Sequence, residues 1–189
     1  MNRDFILASS SPRRFELLRQ IGLPFQSIVP SVDETTQRTD PMEIVSELSA
    51  RKAAAVAKNN PLSVVIAADT VVTVDGTVLG KPHGENEAAQ MLRMLSGRSH
   101  FVFTGVTVIC DGKIDTAICR TEVFFKNLSE EQIYAYINTS EPYDKAGSYD
   151  IQGRGALLVD HIDGDYANVV GLPVGMLYEM LKEFGIEIL

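Results

Sequence analysis

The chain has 189 residues, 45% of them hydrophobic, and a formal net charge of -8. That length buries one substantial core, and the acidity argues against a nucleic-acid reader, which normally carries a basic face. No apolar run reaches the roughly eighteen residues of a membrane span, and the short stretch Phe5 to Ala8 passes directly into serines, unlike a signal peptide. One cytoplasmic domain over residues 1–189, with no nucleic-acid or membrane partner, is expected.

Alternating β-branched runs and helical patterns predict an α/β fold with a central mixed sheet flanked by helices. Residues 4 to 8 read as a first strand, and Ser11-Pro12 supplies an N-cap and an N1 proline for a helix ending near Gly22. A further strand-like stretch leads to Ser31-Val32-Asp33-Glu34-Thr35. A helix over 41–58 follows, with Ile44, Val45, Leu48 and Val56 to bury, and Asn59-Asn60-Pro61 stops it. Val64 to Val74 reads as a strand. Asp75-Gly76 and Asp111-Gly112 each sit between β-rich runs and predict tight hairpins, hence antiparallel pairs. Helices near 85–96, 129–138 and 173–184 complete the set, the second opened by Ser129-Glu130-Glu131.

Four segments carry more chemistry than packing needs. Ala8-Ser9-Ser10-Ser11-Pro12-Arg13-Arg14 places small hydroxyl residues at a helix start with two guanidiniums following, which suits an anion; an ordinary N-cap with solvated arginines is the plainer alternative. Asp69, in Ala67-Ala68-Asp69-Thr70-Val71-Val72, is an acid inside an apolar strand and needs a partner, a metal or a water. Lys81 follows between Gly80 and Pro82, outside any P-loop pattern. Glu34, beside Asp33 and with Lys52 on the next helix, is a candidate ligand for a hard divalent cation, unless the loop is merely solvated. The long stretch Glu141 to Gly155 combines charges, two tyrosines and three glycines with few aliphatics, as a binding loop or a solvated gate would; Gln152 in it can both donate to and accept from a base edge.

Other chemistries find no support. Cys110 and Cys119 lack metal or redox spacing, the three histidines (His83, His100, His161) are dispersed, and neither a Gly-x-Ser-x-Gly elbow nor a dinucleotide fingerprint occurs.

Taken together, Leu7-Ala8-Ser9-Ser10-Ser11-Pro12-Arg13-Arg14, Ala68-Asp69-Thr70, Gly80-Lys81-Pro82, Leu95-Ser96-Gly97-Arg98-Ser99-His100, Glu141-Pro142-Tyr143-Asp144-Lys145-Ala146-Gly147-Ser148-Tyr149, Ile151-Gln152-Gly153 and Val170-Gly171-Leu172-Pro173 make the chain resemble the Maf family over nearly its whole length. The resemblance implies an elongated, two-lobed fold similar to that of inosine triphosphate pyrophosphatases. It also implies hydrolysis of dTTP, UTP and related or modified pyrimidine triphosphates to monophosphate and pyrophosphate, with Mg2+ or Mn2+, and assembly as a homodimer. Under it, Asp69 is the general base or holds the activated water, and Glu34 and Asp69 bind the metal. Ser9, Arg13, Lys52, Lys81 and Lys145 bind phosphates, and Arg13, Thr70 and Gln152 set specificity; a sister group selective for 7-methyl-GTP usually carries tryptophan, glutamine and glutamate at those three places. The family's association with septum arrest leaves a nucleotide-sensing regulatory protein as the competing reading.

Overall fold

The computed structural model describes residues 3–189. In chain order the elements are β1 (Phe5–Leu7), α1 (Pro12–Gln20), β2 (Phe25–Ser27), α2 (Pro41–Ala57), β3 (Val64–Val74), β4 (Thr77–Leu79), α3 (Glu85–Leu95), β5 (Ser99–Cys110), β6 (Lys113–Phe125), α4 (Glu130–Ile137), β7 (Val159–Asp163), α5 (Tyr166–Val170) and α6 (Val174–Glu183). Three 3-10 turns lie at Glu141–Asp144, Ala146–Ser148 and Arg154–Leu157. The seven strands form one sheet in the order β2-β1-β3-β5-β6-β7, with β4 added to β3. β1 runs parallel to β2 and β3, whereas β4 and β7 pair antiparallel with β3 and β6, so the sheet is mixed as expected.

Both Asp-Gly pairs make the hairpins their composition predicts. Asp75 and Gly76 have φ of 50° and 76°, Asp111 and Gly112 φ of 50° and 75°. Two successive positive φ values give a turn whose twist matches that of the strands it joins, and Asp and Gly tolerate them. The strand-like stretch before Ser31 is the three-residue β2, whereas the largely charged β7 carries too little alternation to be read from sequence.

The backbone divides into two compact units, each discontinuous in sequence: 1–69, 104–119 and 171–189 form one, and 70–103 with 120–170 the other. The long strands β3, β5 and β6 each contribute to both. Among the described residues, no helix is long and apolar enough to cross a membrane.

In the first unit α2 is the organising helix. Asp40 caps it, its carboxylate accepting from the N–H groups of Met42 (2.7 Å) and Glu43 (3.3 Å), while Pro41 starts the first turn without a donor to waste. Its Ala53 and Val56 pack with Ile6, Ala8, Val65 and Ala67 on and beside the parallel strands, and burial of each of the larger side chains, Ile6, Val56 and Val65, stabilises by about 1.5–3 kcal/mol. At Gly105 of β5 the helix backbone comes in directly: a Cβ there would lie 2.4 Å from the Val45 carbonyl oxygen.

In the second unit α3 packs on α4, with Leu92, Leu95, Ile133 and Ile137 fully buried. The α4 start is a reciprocal capping box, Ser129 Oγ accepting from Gln132 N and Gln132 Oε1 from Ser129 N. Below these helices the rings of His100, Phe125 and Tyr149 meet edge to face, and His100 Nε2 shares a 2.9 Å hydrogen bond with the Tyr149 hydroxyl. Among the described residues nothing meets His100 Nδ1, and burial pushes the imidazole pKa down to about 4.

Two measurements follow from this packing. Gly105→Ala forces α2 outward, at a cost of roughly 1–3 kcal/mol, which urea denaturation would report as a lowered midpoint at unchanged m-value. For His100, the unfolded ring takes its proton near pH 6.5 and the folded ring only near 4. The neutral ring's contribution is therefore complete above pH 6.5 and lost on acidification toward 4, by about 3 kcal/mol, and His100→Gln removes that share of the pH slope.

Candidate active site

Asp69 stands on β3 at the point where the strand's contribution passes from the first unit to the second, and only 7% of it is exposed. A lone carboxylate so placed would be costly, and its partner is Lys52, itself 7% exposed on the buried face of α2. Lys52 Nζ donates to Asp69 Oδ1 at 2.7 Å and to Glu34 Oε2 at 2.7 Å. One ammonium thus draws a strand acid and a loop acid together. The Glu34 side chain is 60% exposed, so the pair grades from a buried end to a solvated one.

The serine-arginine segment belongs to the same unit. Ser9, buried just beyond β1, accepts from Ser11 N through its hydroxyl (3.1 Å) and receives the Ser27 hydroxyl on its carbonyl (3.0 Å), which fixes the chain where α1 begins. Ser11 takes the N-cap position in an extended conformation and Pro12 opens the helix, so the positive end of the α1 dipole falls at this segment. Arg13 is half-buried there.

Arg14 entered the sequence reading only as the second guanidinium of an anion-binding segment, with no partner of its own. Its Nε donates to the Gly171 carbonyl at 2.7 Å, 157 residues away. Burial lowers its pKa from the ordinary arginine value, the charges of Asp69 and Glu34 oppose that, and Arg13 adds to the lowering. Arg14 therefore lies in the field of the acid pair. The doubled arginine after Ser-Pro was the available signal; the anchoring carbonyl was not.

The remaining candidates belong to the second unit. Thr70 follows Asp69 on β3. Lys81 is exposed on the loop after β4, and that loop is tied to the stretch carrying Lys145 by the hydrogen bond from Gly147 N to the Gly80 carbonyl (3.1 Å). Gly147, with φ of 71°, also allows this approach because a Cβ would sit 2.9 Å from the Val72 side chain. Lys145 Nζ contacts the Asp144 carboxylate and lies 3.5 Å from Asp150 Oδ2.

The stretch from 141 to 155 is folded on itself rather than loose. Glu141 accepts from Arg154 N through both carboxylate oxygens, at 3.2 and 2.9 Å, and Asp150 Oδ1 accepts from Gln152 N at 3.0 Å. The Tyr136 hydroxyl accepts from Asp150 N at 2.9 Å. Gly153 has room only for hydrogen, since a Cβ would meet the Glu141 carboxylate at 2.6 Å. These contacts present the Gln152 side chain at the surface.

Among the described residues, no three His, Cys, Asp or Glu side chains gather as a metal site. The Glu34–Asp69 pair does fit the donor set magnesium commonly takes, one or two carboxylates with phosphate and water oxygens completing the shell.

A family model described as Maf-like protein matches residues 4–184. A dTTP/UTP pyrophosphatase of Bacillus cereus is 52% identical over 187 residues, covering 98% of each chain. One of Bacillus anthracis is 51% identical with the same coverage. The solved structure of the Staphylococcus aureus Ham1 protein superposes with a TM-score of 0.57 at 14% identity, covering 96% of this chain and 100% of that one. At that identity the likeness shows the fold.

Proposed function

The chain belongs to the Maf-like protein family, and from that premise we propose that it is a nucleoside triphosphate pyrophosphatase acting in the cytoplasm on dTTP, UTP and related pyrimidine triphosphates. The observation that carries this reading is the buried Lys52 ammonium bound to both Asp69 and Glu34, in the field of Arg14. Charge of both signs concentrated at one place suits a reaction that neutralises a departing pyrophosphate while aiming a water at phosphorus.

Asp69 accepts the proton of the attacking water and, with Glu34, would hold Mg2+ or Mn2+. Such a metal would supply charge neutralisation to the triphosphate. Lys52 keeps both carboxylates aligned, and as two of its three N–H donors face them, the third serves a phosphate oxygen. Ser9 and Arg13, at the start of α1, bind phosphate through the helix end and a forked guanidinium, and Arg14 joins them. Lys81 and Lys145 are assigned to phosphate as well. Thr70, Arg13 and Gln152 select the pyrimidine, the Gln152 amide matching a base edge that both donates and accepts. The chain is expected to form a homodimer, for which the exposed apolar Ile114 and Ile118 of β6 are available. Division arrest would follow from depletion of a nucleotide pool.

Two assays test the reading. Purified protein with Mg2+ should release pyrophosphate from dTTP and UTP, and Asp69→Asn should lower kcat by roughly two to four orders of magnitude with the fold retained, since Glu34 still partners Lys52. Undiminished turnover in that variant would remove Asp69 from the chemistry. Gln152→Glu should depress dTTP and UTP relative to other nucleotides, because an ionised acid cannot donate to a carbonyl; equal relative rates across a nucleotide panel would exclude Gln152 from base selection.

A further inference from the structure

Glu34 lies between β2 and α2, in a stretch with no regular secondary structure. The loop is instead held by one stripe of α2. Glu43, Glu47 and Arg51, spaced four apart, share a helix face, and each reaches back to residues 33–38. Arg51 Nη1 donates to the carbonyl of Asp33 and, at 2.9 Å, to that of Thr35, the two residues flanking Glu34. Its Nη2 donates to Glu47 Oε1, and Glu47 Oε2 in turn accepts from the Thr36 hydroxyl (3.0 Å) and from Arg38 Nε (3.3 Å). Arg38 Nη1 reaches Glu43 at 3.3 Å, while the Asp33 carboxylate accepts from both the N–H and the hydroxyl of Thr35 at 2.8 Å.

We infer that Arg51 is a positioning residue for Glu34: its guanidinium grips the main chain on both sides of that acid, and Glu47 braces the grip. Lys52, the next residue of the same helix, takes the Glu34 carboxylate itself. Backbone and side chain of Glu34 are thus set by adjacent residues of α2, and the acid cannot leave Asp69 without breaking one or both holds. One guanidinium nitrogen serves the two carbonyls while the second reaches Glu47, a division of labour that takes a forked donor; a lysine ammonium, a single nitrogen, could reach the carbonyls but not also bridge to Glu47. The inference rests on the role of Glu34 proposed above.

Its test uses the full chain and Arg51→Met, which keeps the apolar stem. Pyrophosphate release from dTTP should fall by about 10- to 100-fold, with more Mg2+ needed for half-maximal turnover, as for other residues that hold a ligand in place. In a Glu34→Gln background Arg51→Met should cost nothing further, because the residue it aims is already disabled. Arg51→Lys should recover part of the loss. Independently of turnover, amides of residues 34–37 should exchange faster in Arg51→Met while those of α2 are unchanged. Additive losses in the double variant, or unaltered exchange in the loop, overturn the inference. A Glu34→Gln variant as active as wild type would instead defeat the proposed role of Glu34, and exchange would still decide whether Arg51 grips the loop.

Discussion

The ammonium of Lys52 between Asp69 and Glu34 is the interaction on which the first unit's chemistry rests. An acid in the middle of an apolar strand is expensive unless its charge is met at close range, and the 2.7 Å contact from Lys52 meets it. Lys52 can do so only because α2 is fixed along its length. Asp40 caps its start, Ala53 and Val56 anchor it on the parallel strands, and the absence of a side chain at Gly105 lets its backbone settle against β5. The same helix then reaches out through Arg51 to shape the loop that brings Glu34. Core packing and the geometry of the candidate site are properties of a single element here.

The second unit handles a different problem, how to present a polar side chain from a segment made only of short turns. Asp150 and Glu141 do this by accepting the main-chain N–H groups of Gln152 itself and of Arg154, and Tyr136 lends its hydroxyl from α4. Burial pushes the Tyr136 phenol well above its ordinary pKa, against the hydrogen bond from Asp150 N–H that works the other way, so this hydroxyl stays protonated. The loop's order comes from acids that cap backbone rather than from a ladder.

Much of this was legible in the sequence where local chemistry decides conformation. The boundaries of α2 and β3, both Asp-Gly hairpins and the Ser129 cap were readable because caps, prolines and positive-φ residues act over three or four positions. The motif residues could be gathered into a family, but not their partners. That Lys52 faces both Asp69 and Glu34 depends on how α2 crosses the sheet, which no spacing reports. The holds that Arg51 and Arg14 make were invisible for another reason. Both act on carbonyl groups, of Asp33, Thr35 and Gly171, and every residue has one. β7 was missed because five largely charged residues show no period.

The bond from Arg14 to the Gly171 carbonyl also bears on how the protein is made. Residues 171–189 belong to the same compact unit as residues 1–69, with the whole of the second unit's sequence lying between them. Contacts of such long range are slow to close. During synthesis the serine-arginine segment emerges early, and the hydrogen bond from Arg14 to Gly171 forms only after residue 171 has followed it. Completion of the first unit therefore waits on residues 171–189, while the sequence of the second unit is already present.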